Sequence, residues 1–167
     1  MSRSGFILIE VTIAYVLLAV AIVALVPVFI VAIKAGTNTE QLQTATYLSV
    51  ELMEEVRLRK WDERTDGNTH AHIASPSTIG RDGTESATDK RTYDDIDDFN
   101  GWTEGVPYDP VMRVLTDFKE FRRTVAVSYV NSSMASSAVV TDYKMITVCT
   151  RTAKITPACL TSMVTNR

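Results

Sequence analysis

The sequence predicts an α+β protein in which a long N-terminal α-helix packs on a small C-terminal antiparallel sheet. Three observations predict this fold. Residues 11–33 form an uncharged run of 23 residues. The stretch after it carries apolar residues at steps of three and four, which is typical of one face of a helix. The last fifty residues contain short runs of alternating apolar and polar side chains, which is typical of strands.

The uncharged run would be roughly 35 Å long as a helix, which is enough to span a bilayer. The alternative is a cleaved secretory signal, whose apolar region is about 7–15 residues long and ends at a small-residue cleavage site. No clear site of that kind interrupts the run before Lys34. We therefore predict a retained anchor over residues 6–34 that contacts membrane lipid. Long C-terminal domains cross membranes largely regardless of flanking charge, so Lys34 does not oppose export.

Residues 35–61 continue the helix as an amphipathic segment, which gives one predicted helix from Phe6 to Lys60. The apolar positions follow one face of the helix and the charged positions lie mostly on the other. The predicted packing face consists of Leu42, Ala45, Leu48, Leu52 and Val56. The predicted solvent face consists of Glu51, Glu54, Glu55, Arg57, Arg59 and Lys60.

Two residues weaken the continuity of this helix. Gly36 is a poor helix former. Pro27 cannot donate a hydrogen bond to the carbonyl of Val23, and its ring clashes there. We therefore expect a kink or a locally unwound turn over residues 23–27.

The rest of the chain divides into a loop region, residues 62–117, and a sheet, residues 118–167. The loop region has no strong periodicity. In the sheet, Val125, Val127 and Tyr129 share one face of a predicted strand. The stretches YKMITVCT and ACLTSMV read as two more strands, joined by a turn at RTAK.

The two cysteines supply a register for this last hairpin. If Cys149 lies opposite Cys159, then Val148 faces Leu160, and the aliphatic pair and the cysteine pair fall on opposite faces. One register thus satisfies both patterns. In an oxidising compartment the two cysteines would form a disulfide.

Composition and motifs argue against several function classes. The net charge is −3 and the pI is about 5.4, without the basic stripe that a nucleic-acid-binding protein normally shows. No G-x-S-x-G, phosphate loop or dinucleotide fingerprint is present, so we expect a protein that is not an enzyme. His70 and His72 lie in the loop region without further histidines or nearby cysteines, whereas a zinc site needs three or four ligands.

Glu10 is the most unusual residue of the apolar segment. An acid near the centre of a membrane helix costs on the order of 2.5–3.5 kcal/mol on insertion scales, and less near the edge. One interpretation is a functional carboxylate that pairs with another group within the membrane. The other is an acid that water reaches at the edge of the bilayer.

The loop region contains a cluster of carboxylates in the stretch DDIDDFN, formed by Asp94, Asp95, Asp97 and Asp98, with Asn100 after it. Calcium takes six to eight oxygen ligands on a flexible loop, so these five side chains are candidate ligands. The alternative is an acidic turn in which Ile96, Phe99 and Trp102 pack on the sheet and the aspartates point outward. Both interpretations stay open at this stage, and no other cofactor is expected.

The N-terminal stretch G-F-I-L-I-E-V, from Gly5 to Val11, resembles the processing site of type IV pilins and of the pseudopilins of type II secretion. The resemblance implies a leader over residues 1–5, cleavage by a prepilin peptidase between Gly5 and Phe6, and N-methylation of Phe6. It implies that Glu10 pairs with the methylated amine of a neighbouring subunit during assembly. Pro27 falls where many pilins carry a helix-disrupting proline.

Shorter stretches extend the resemblance into the C-terminal half. TYDDIDDFNGW, YKMITVCT and LTSMVTN resemble the minor pilins found beside mannose-sensitive haemagglutinin pili. The pair Cys149 and Cys159 is similar to the C-terminal disulfide loop of many pilins, although it encloses only nine residues. Some pseudopilins hold calcium in a loop of the head.

The function implied by this resemblance is that of a minor pilin in a type IV pilus. The alternatives are a pseudopilin of type II secretion and a membrane-anchored adhesive or ion-binding module. The implied location is the inner membrane, with a single span and a periplasmic C-terminal head, and then the filament. The implied partners are other pilin or pseudopilin subunits, the prepilin peptidase and the inner-membrane assembly platform.

Overall fold

The computed structural model describes residues 3–65, 72–83 and 85–166, and the backbone alone for residues 3–8. The predicted α+β fold is confirmed: one long N-terminal helix precedes a four-stranded antiparallel sheet. The chain divides into two units, Met1–Glu40 and Gln41–Arg167, and we call the second unit the head. Each unit is described by itself.

Helix α1 runs from Arg3 to Arg57 and is 55 residues long. It continues through Pro27 and Gly36 without a break, so the locally unwound turn expected over residues 23–27 does not occur. A proline removes one hydrogen bond, and the helical turns on either side keep theirs. A kink at this position stays a prediction.

The helix ends at Arg57, three residues before the predicted end. Lys60 leaves the helical path because its backbone joins the loop region: its N–H donates to the carbonyl of Asp94 at 3.3 Å, and its carbonyl accepts from Ile96 at 3.0 Å. These bonds form a short parallel bridge between Lys60 and Asp95. The N–H and carbonyl groups that Lys60 would have used in a further helical turn are thereby satisfied.

The sheet consists of β1 (Thr103–Glu104), β2 (Arg122–Tyr129), β3 (Tyr143–Arg151) and β4 (Ala158–Thr165), paired in that order and antiparallel throughout. The predicted register of the last hairpin is confirmed, since Cys149 lies opposite Cys159 and Val148 opposite Leu160. The sequence did not predict β1, which is two residues long and too short to show alternation.

The part of α1 in the head packs on one face of the sheet. Ala45, Leu48, Leu52 and Val56 are fully buried, which confirms four of the five predicted packing positions. Leu42 is 46% exposed and the prediction is wrong there. It lies at the start of the head, one turn before Ala45.

The loop region contains no α-helix among its described residues, but it is not a surface loop throughout. It forms 3₁₀ turns at Lys90–Thr92, Asp97–Phe99 and Thr116–Phe118. Several of its side chains enter the main core, where the ring of Tyr93 makes edge contacts with Phe99 at 5.0 Å and Trp102 at 5.6 Å. The loop region is therefore a structural layer of the head.

Candidate functional site

The first candidate site is the apolar part of α1. From Ile9 the helix contains an 18-residue window with a mean hydropathy of 3.2, and none of that window is buried. A core helix of a soluble protein would be buried. The side chains of this window are exposed instead, so they need another cover. By length and composition the segment can cross a bilayer, although a cleaved signal sequence meets the same test.

The predicted processing residues lie at the beginning of this helix. Gly5 and Phe6 are in its first turn, and only their backbone is described. Glu10 is exposed on the helix surface and has no ion-pair partner within the described part of the chain. The structure thus presents Glu10 as an exposed carboxylate that none of the described side chains neutralises.

The predicted disulfide is present between β3 and β4. Cys149 and Cys159 are joined with their Cα atoms 4.1 Å apart. On the opposite face of the same hairpin, Ile146 and Val148 are fully buried in the core. The bridge therefore staples the outer face of the hairpin.

For the acidic stretch DDIDDFN, the structure confirms one part of the packed-turn interpretation and corrects another. Ile96, Phe99 and Trp102 are buried around the 3₁₀ turn, as the packed-turn interpretation predicts. Three of the four aspartates do not point outward, however: Asp95 and Asp97 are 2% and 1% exposed and Asp98 is 3% exposed, whereas the side chain of Asp94 is 45% exposed. A buried turn leaves backbone N–H groups without water, so it needs acceptors.

Two of these aspartates supply those acceptors. Asp98 Oδ2 accepts from the backbone N–H groups of Asp94 and Asp95, both at 3.0 Å. Asp95 Oδ1 accepts from the N–H groups of Asp97 at 2.8 Å and Asp98 at 3.3 Å. These carboxyl groups therefore serve as the internal scaffold of the turn.

Asp97 has a different partner, the fully buried ammonium of Lys144 on β3. Lys144 Nζ lies 2.6 Å from Asp97 Oδ1 and 3.5 Å from Asp62 Oδ2, and it donates to the carbonyl of Trp61 at 2.7 Å. It also lies 4.2 Å from the centroid of the Trp61 ring, within cation–π range. Sequence reasoning missed Lys144, yet strand alternation contained the signal, because this residue shares the inward face of β3 with Ile146 and Val148.

A second buried network centres on Glu104, which is fully buried on β1. Its carboxylate lies 2.6 Å from Arg123 Nε and 3.3 Å from Lys90 Nζ, and it accepts from Trp102 Nε1 at 3.0 Å. Lys90 also pairs at 2.6 Å with Glu55, which was predicted to lie on the solvent face of the helix and is in fact buried. The network connects α1, the loop region and the first two strands.

Burial strongly perturbs one carboxyl group of the acidic stretch. Desolvation, followed by the hydrogen bond and the negative charge of Asp97, raises the pKa of Asp95 to about 9. Asp95 is therefore protonated in the folded protein at neutral pH. Its Oδ1 accepts from the backbone while its proton is shared with Asp97.

We expect Asp95→Asn to make the protein more stable than wild type at pH 8, by about 1–3 kcal/mol, and to leave it nearly unchanged at pH 4. A carboxyl group whose pKa is higher folded than unfolded stabilises the fold below its unfolded pKa, near 4. That contribution is lost as the pH rises toward 9. Asparagine keeps an acceptor oxygen and a donor but does not titrate.

Urea unfolding of the full chain in detergent at pH 4, 6 and 8 measures this difference. Asp117→Asn is the matched control, since Asp117 lies in an exposed 3₁₀ turn and its replacement should not alter the pH dependence. A difference in stability between wild type and Asp95→Asn that stays constant from pH 4 to pH 8 would contradict the raised pKa of Asp95.

The structure does not bring the five candidate calcium ligands together. Asp95 already accepts backbone hydrogen bonds and Asp97 already pairs with Lys144. Asn100 Oδ1 accepts from the N–H of Val127 at 3.1 Å. Asp94 and Asp98 instead form a group with Glu85, with one oxygen of each lying within 4.8 Å of the others.

This acidic group already has protein partners. Asp94 pairs with Lys60 at 3.0 Å, and Asp98 Oδ2 holds the turn. Burial and a hydrogen bond with Asp98 raise the pKa of Glu85 to about 7, which lets it share a proton with that carboxylate. Acidic groups of this kind are common without an ion, and calcium binding stays a prediction of the sequence.

The two histidines do not change this picture. His70 lies outside the described residues. His72 Nε2 lies 2.8 Å from Asp142 Oδ1, and both side chains are more than half exposed. Asp142 also accepts from Asn166, and these bonds lower the pKa of Asp142. The pair connects the loop region to the start of β3 at the surface.

Comparison with known proteins gives no match for this chain: no family model, no curated protein and no solved structure is significantly similar to it. The features of the molecule that bear on its function are the exposed apolar helix, the carboxylate near its start and the disulfide-stapled head.

Proposed function

We propose that this protein is a minor pilin, a structural subunit of a type IV pilus that a prepilin peptidase cleaves between Gly5 and Phe6. The observation that carries the proposal is the order of features at the N-terminus. A Gly-Phe pair is followed by an acid at Glu10 and then by 23 uncharged residues in an exposed helix. The rest of the chain forms a compact head with its own core.

The exposed surface of α1 supports an assembly role. Its large apolar side chains, which are roughly half to three-quarters exposed between Ile9 and Ile33, require cover from lipid or from other helices. In the membrane that cover would be acyl chains. In a filament that cover would be the equivalent helices of neighbouring subunits. Assembly would then exchange one apolar environment for another.

Glu10 would set the register of that assembly. Cleavage before Phe6 frees an α-amino group, which stays positively charged after a single methylation. An opposite charge in contact is the favourable partner for a carboxylate in low-dielectric surroundings. We propose that Glu10 of an entering subunit pairs with this amine on a subunit already in place.

The proposed location is the inner membrane, with the head in the periplasm before assembly. The Cys149–Cys159 disulfide supports an oxidising compartment for the head. The proposed partners are other pilin subunits, the prepilin peptidase and the membrane assembly platform. The protein is proposed to act through assembly and not through catalysis.

A pseudopilin of type II secretion is the second candidate, because the same processing motif and exposed helix serve both kinds of filament. Detection of the protein in sheared surface filaments favours the pilus. Its restriction to the cell envelope, with loss of protein secretion when its gene is deleted, favours the pseudopilus. An adhesive module that does not enter a filament would be found in neither structure.

We expect the mature N-terminus to be Phe6 carrying one methyl group. Mass spectrometry of the N-terminal peptide from native membranes measures this directly. Gly5→Leu should leave the precursor uncut, because the peptidase cleaves after this glycine in the family that the motif resembles. Ser4→Ala, one position earlier, is the matched control and should be cut normally. An intact Met1 or a cut after the apolar run would contradict the proposal.

A further inference from the structure

The last strand of the sheet, β4, has an open edge. The strands pair in the order β1-β2-β3-β4, so β4 has a neighbouring strand on one side only. Among the residues that the structure describes, no other segment pairs with its outer edge. β4 is eight residues long, whereas β1, the strand at the other end of the sheet, has two residues. The sheet therefore leaves a long row of backbone groups unpaired on the side of β4.

The opposite edge of the sheet is closed by the chain itself. Beyond the two residues of β1, outward-pointing backbone groups of β2 bond to the loops beside it. The N–H of Val127 donates to Asn100 Oδ1 at 3.1 Å, and the carbonyl of Tyr129 accepts from the N–H of Ser137 at 2.9 Å. An edge that lacks such bonds is a template for pairing with another strand.

The sequence of β4 has none of the features that normally protect an edge. Native edge strands are very short, or they carry charges, prolines or bulges. The strand reads ACLTSMVT, without a charge or a proline, and it pairs with β3 in one continuous register. Two such strands can approach each other without the repulsion that like charges cause across a sheet.

The register of the last hairpin shows which backbone groups of β4 point outward. Along an antiparallel pair, hydrogen-bonded and non-hydrogen-bonded pairs alternate, with Cα atoms about 5.5 Å and 4.5 Å apart. The Cα atoms of Cys149 and Cys159 are 4.1 Å apart, so this pair is a non-hydrogen-bonded one. The N–H and carbonyl of Cys159 therefore point away from β3. By alternation, so do those of Thr161, Met163 and Thr165.

An identical strand fits this edge when the two run antiparallel about a two-fold axis at Ser162. Thr161 then lies opposite Met163 of the second copy, and Cys159 lies opposite Thr165 of that copy. Opposite residues that both point outward form hydrogen-bonded pairs, so the free N–H and carbonyl groups along the strand all meet partners. An axis midway between two residues would place outward-pointing residues opposite inward-pointing ones and leave these groups unpaired.

The same axis also matches the apolar side chains on the inward face of β4. Leu160 and Val164 pack against the main core but stay partly exposed. Each is two residues from Ser162, so Leu160 of one copy lies opposite Val164 of the other. This is a non-hydrogen-bonded pair, in which opposite side chains are closest. The pairing covers apolar surface that the isolated head leaves in water.

We infer that β4 binds β4 of a second copy of this chain, which joins the two four-stranded sheets into one continuous sheet. A two-fold contact is closed, because both copies use the same surface and none is left for a third copy. Subunits of a helical filament instead contact one another through two different surfaces. The pair is therefore a state of the protein outside a filament. The inference rests on the head alone and is independent of processing at Phe6.

Two cysteine variants of the full-length protein in native membranes test this pairing. Ser162→Cys places a cysteine on the axis, where the two copies of this position lie directly opposite each other and within disulfide distance. Met163→Cys is the matched control, because its equivalent in the second copy lies on the diagonal, about 7–8 Å away and too far for a disulfide. Met163 is 40% exposed and Ser162 is partly buried, so random collisions would favour the control.

A non-reducing gel after oxidation measures the covalent dimer, and mass spectrometry identifies the linked peptides. We expect Ser162→Cys to give at least about tenfold more dimer than Met163→Cys. Adding Thr161→Pro should reduce the Ser162→Cys dimer about tenfold, because it replaces an outward N–H with a ring at the edge. This N–H has no partner within the described part of the head, so the variant should fold, and its melting temperature checks this.

Four outcomes contradict the inference. Equal dimer formation by the two cysteine variants would reflect collisions, and a Ser162→Cys protein that stays monomeric would exclude the pair. A disulfide from Ser162→Cys to a different protein, without a link between copies, would assign the edge to that partner instead. An undiminished dimer in a Thr161→Pro variant that melts like wild type would show a contact that does not use the edge of β4.

Discussion

Replacing Lys144 by methionine is expected to lower the free energy of unfolding of the head by about 3–5 kcal/mol. Lys144 is fully buried, and its ammonium lies between the carboxylates of Asp97 and Asp62, which are themselves 1% and 0% exposed. Methionine fills a similar volume but leaves both acids without a cation in a site that excludes water. A buried charge that loses its partner is among the most destabilising changes known in protein interiors.

Urea unfolding followed by tryptophan fluorescence measures this loss, and the Trp61 ring in contact with Lys144 Nζ serves as a local probe. The loss should be smaller at pH 5 than at pH 8, because acids without a cation become easier to protonate. Lys154→Met is the control: this lysine is 62% exposed in its pair with Glu120, and its loss should change stability by less than about 1 kcal/mol.

A double variant isolates the charge pair from the loss of packing. Adding Asp97→Asn to Lys144→Met should recover part of the lost stability, because it removes one of the two uncompensated charges. If the double variant lost as much stability as the two single variants lose together, a direct coupling between Lys144 and Asp97 would be contradicted. A Lys144→Met protein as stable as wild type would show that the acids are already neutral in the fold.

Glu10→Leu is expected to leave membrane insertion intact and to reduce entry into filaments by more than about tenfold. Insertion should be retained or improved, because the change removes an acid from the apolar segment. Assembly should fail because the amine of the adjoining subunit would be left without its partner in low-dielectric surroundings. An unpaired charge in such a place costs about 3–5 kcal/mol, more than enough for a tenfold effect.

The measurement is the ratio of protein in sheared filaments to protein in membranes, read by quantitative immunoblotting after processing of the variant has been checked by mass spectrometry. Thr12→Leu is the control, because it removes a neighbouring polar side chain and keeps the acid. Glu10→Asp keeps the charge on a shorter side chain and should assemble better than Glu10→Leu. Wild-type amounts of Glu10→Leu in filaments would disprove the register role.

Local patterns in the sequence were enough to predict most of the secondary structure and the pairing of the last two strands. The helical face at Ala45, Leu48 and Leu52 follows from a period of 3.6 residues, and the strand face at Val125 and Val127 follows from a period of two. Local signals are weaker at the ends of elements. The end of α1 and the exposure of Leu42 depend on what the rest of the fold supplies there.

The candidate sites also differ in how much of them local sequence predicts. The residues around Gly5 and Glu10 are neighbours in sequence, so their spacing is visible without a fold. The acidic stretch looked like a solvated turn or an ion site, because its partners lie far away in the chain. Lys144 is 47 residues from Asp97, and Asp62 belongs to a third segment. Nothing local indicates that these side chains meet.

The sequence by itself therefore determined the order of the helix and the last three strands, the apolar helix, most of the inward faces and the cysteine register, all of which depend on residues a few positions apart or on a single hairpin. The tertiary structure alone decided which charges are buried and which partners they have. Lys90, Arg123 and Lys144 lie on inward-facing positions where their charge is tolerated only because carboxylates from other segments reach them. The physical reason is that a periodic pattern places a side chain toward the core, whereas the free energy of burying a charge there depends on contacts between distant parts of the chain.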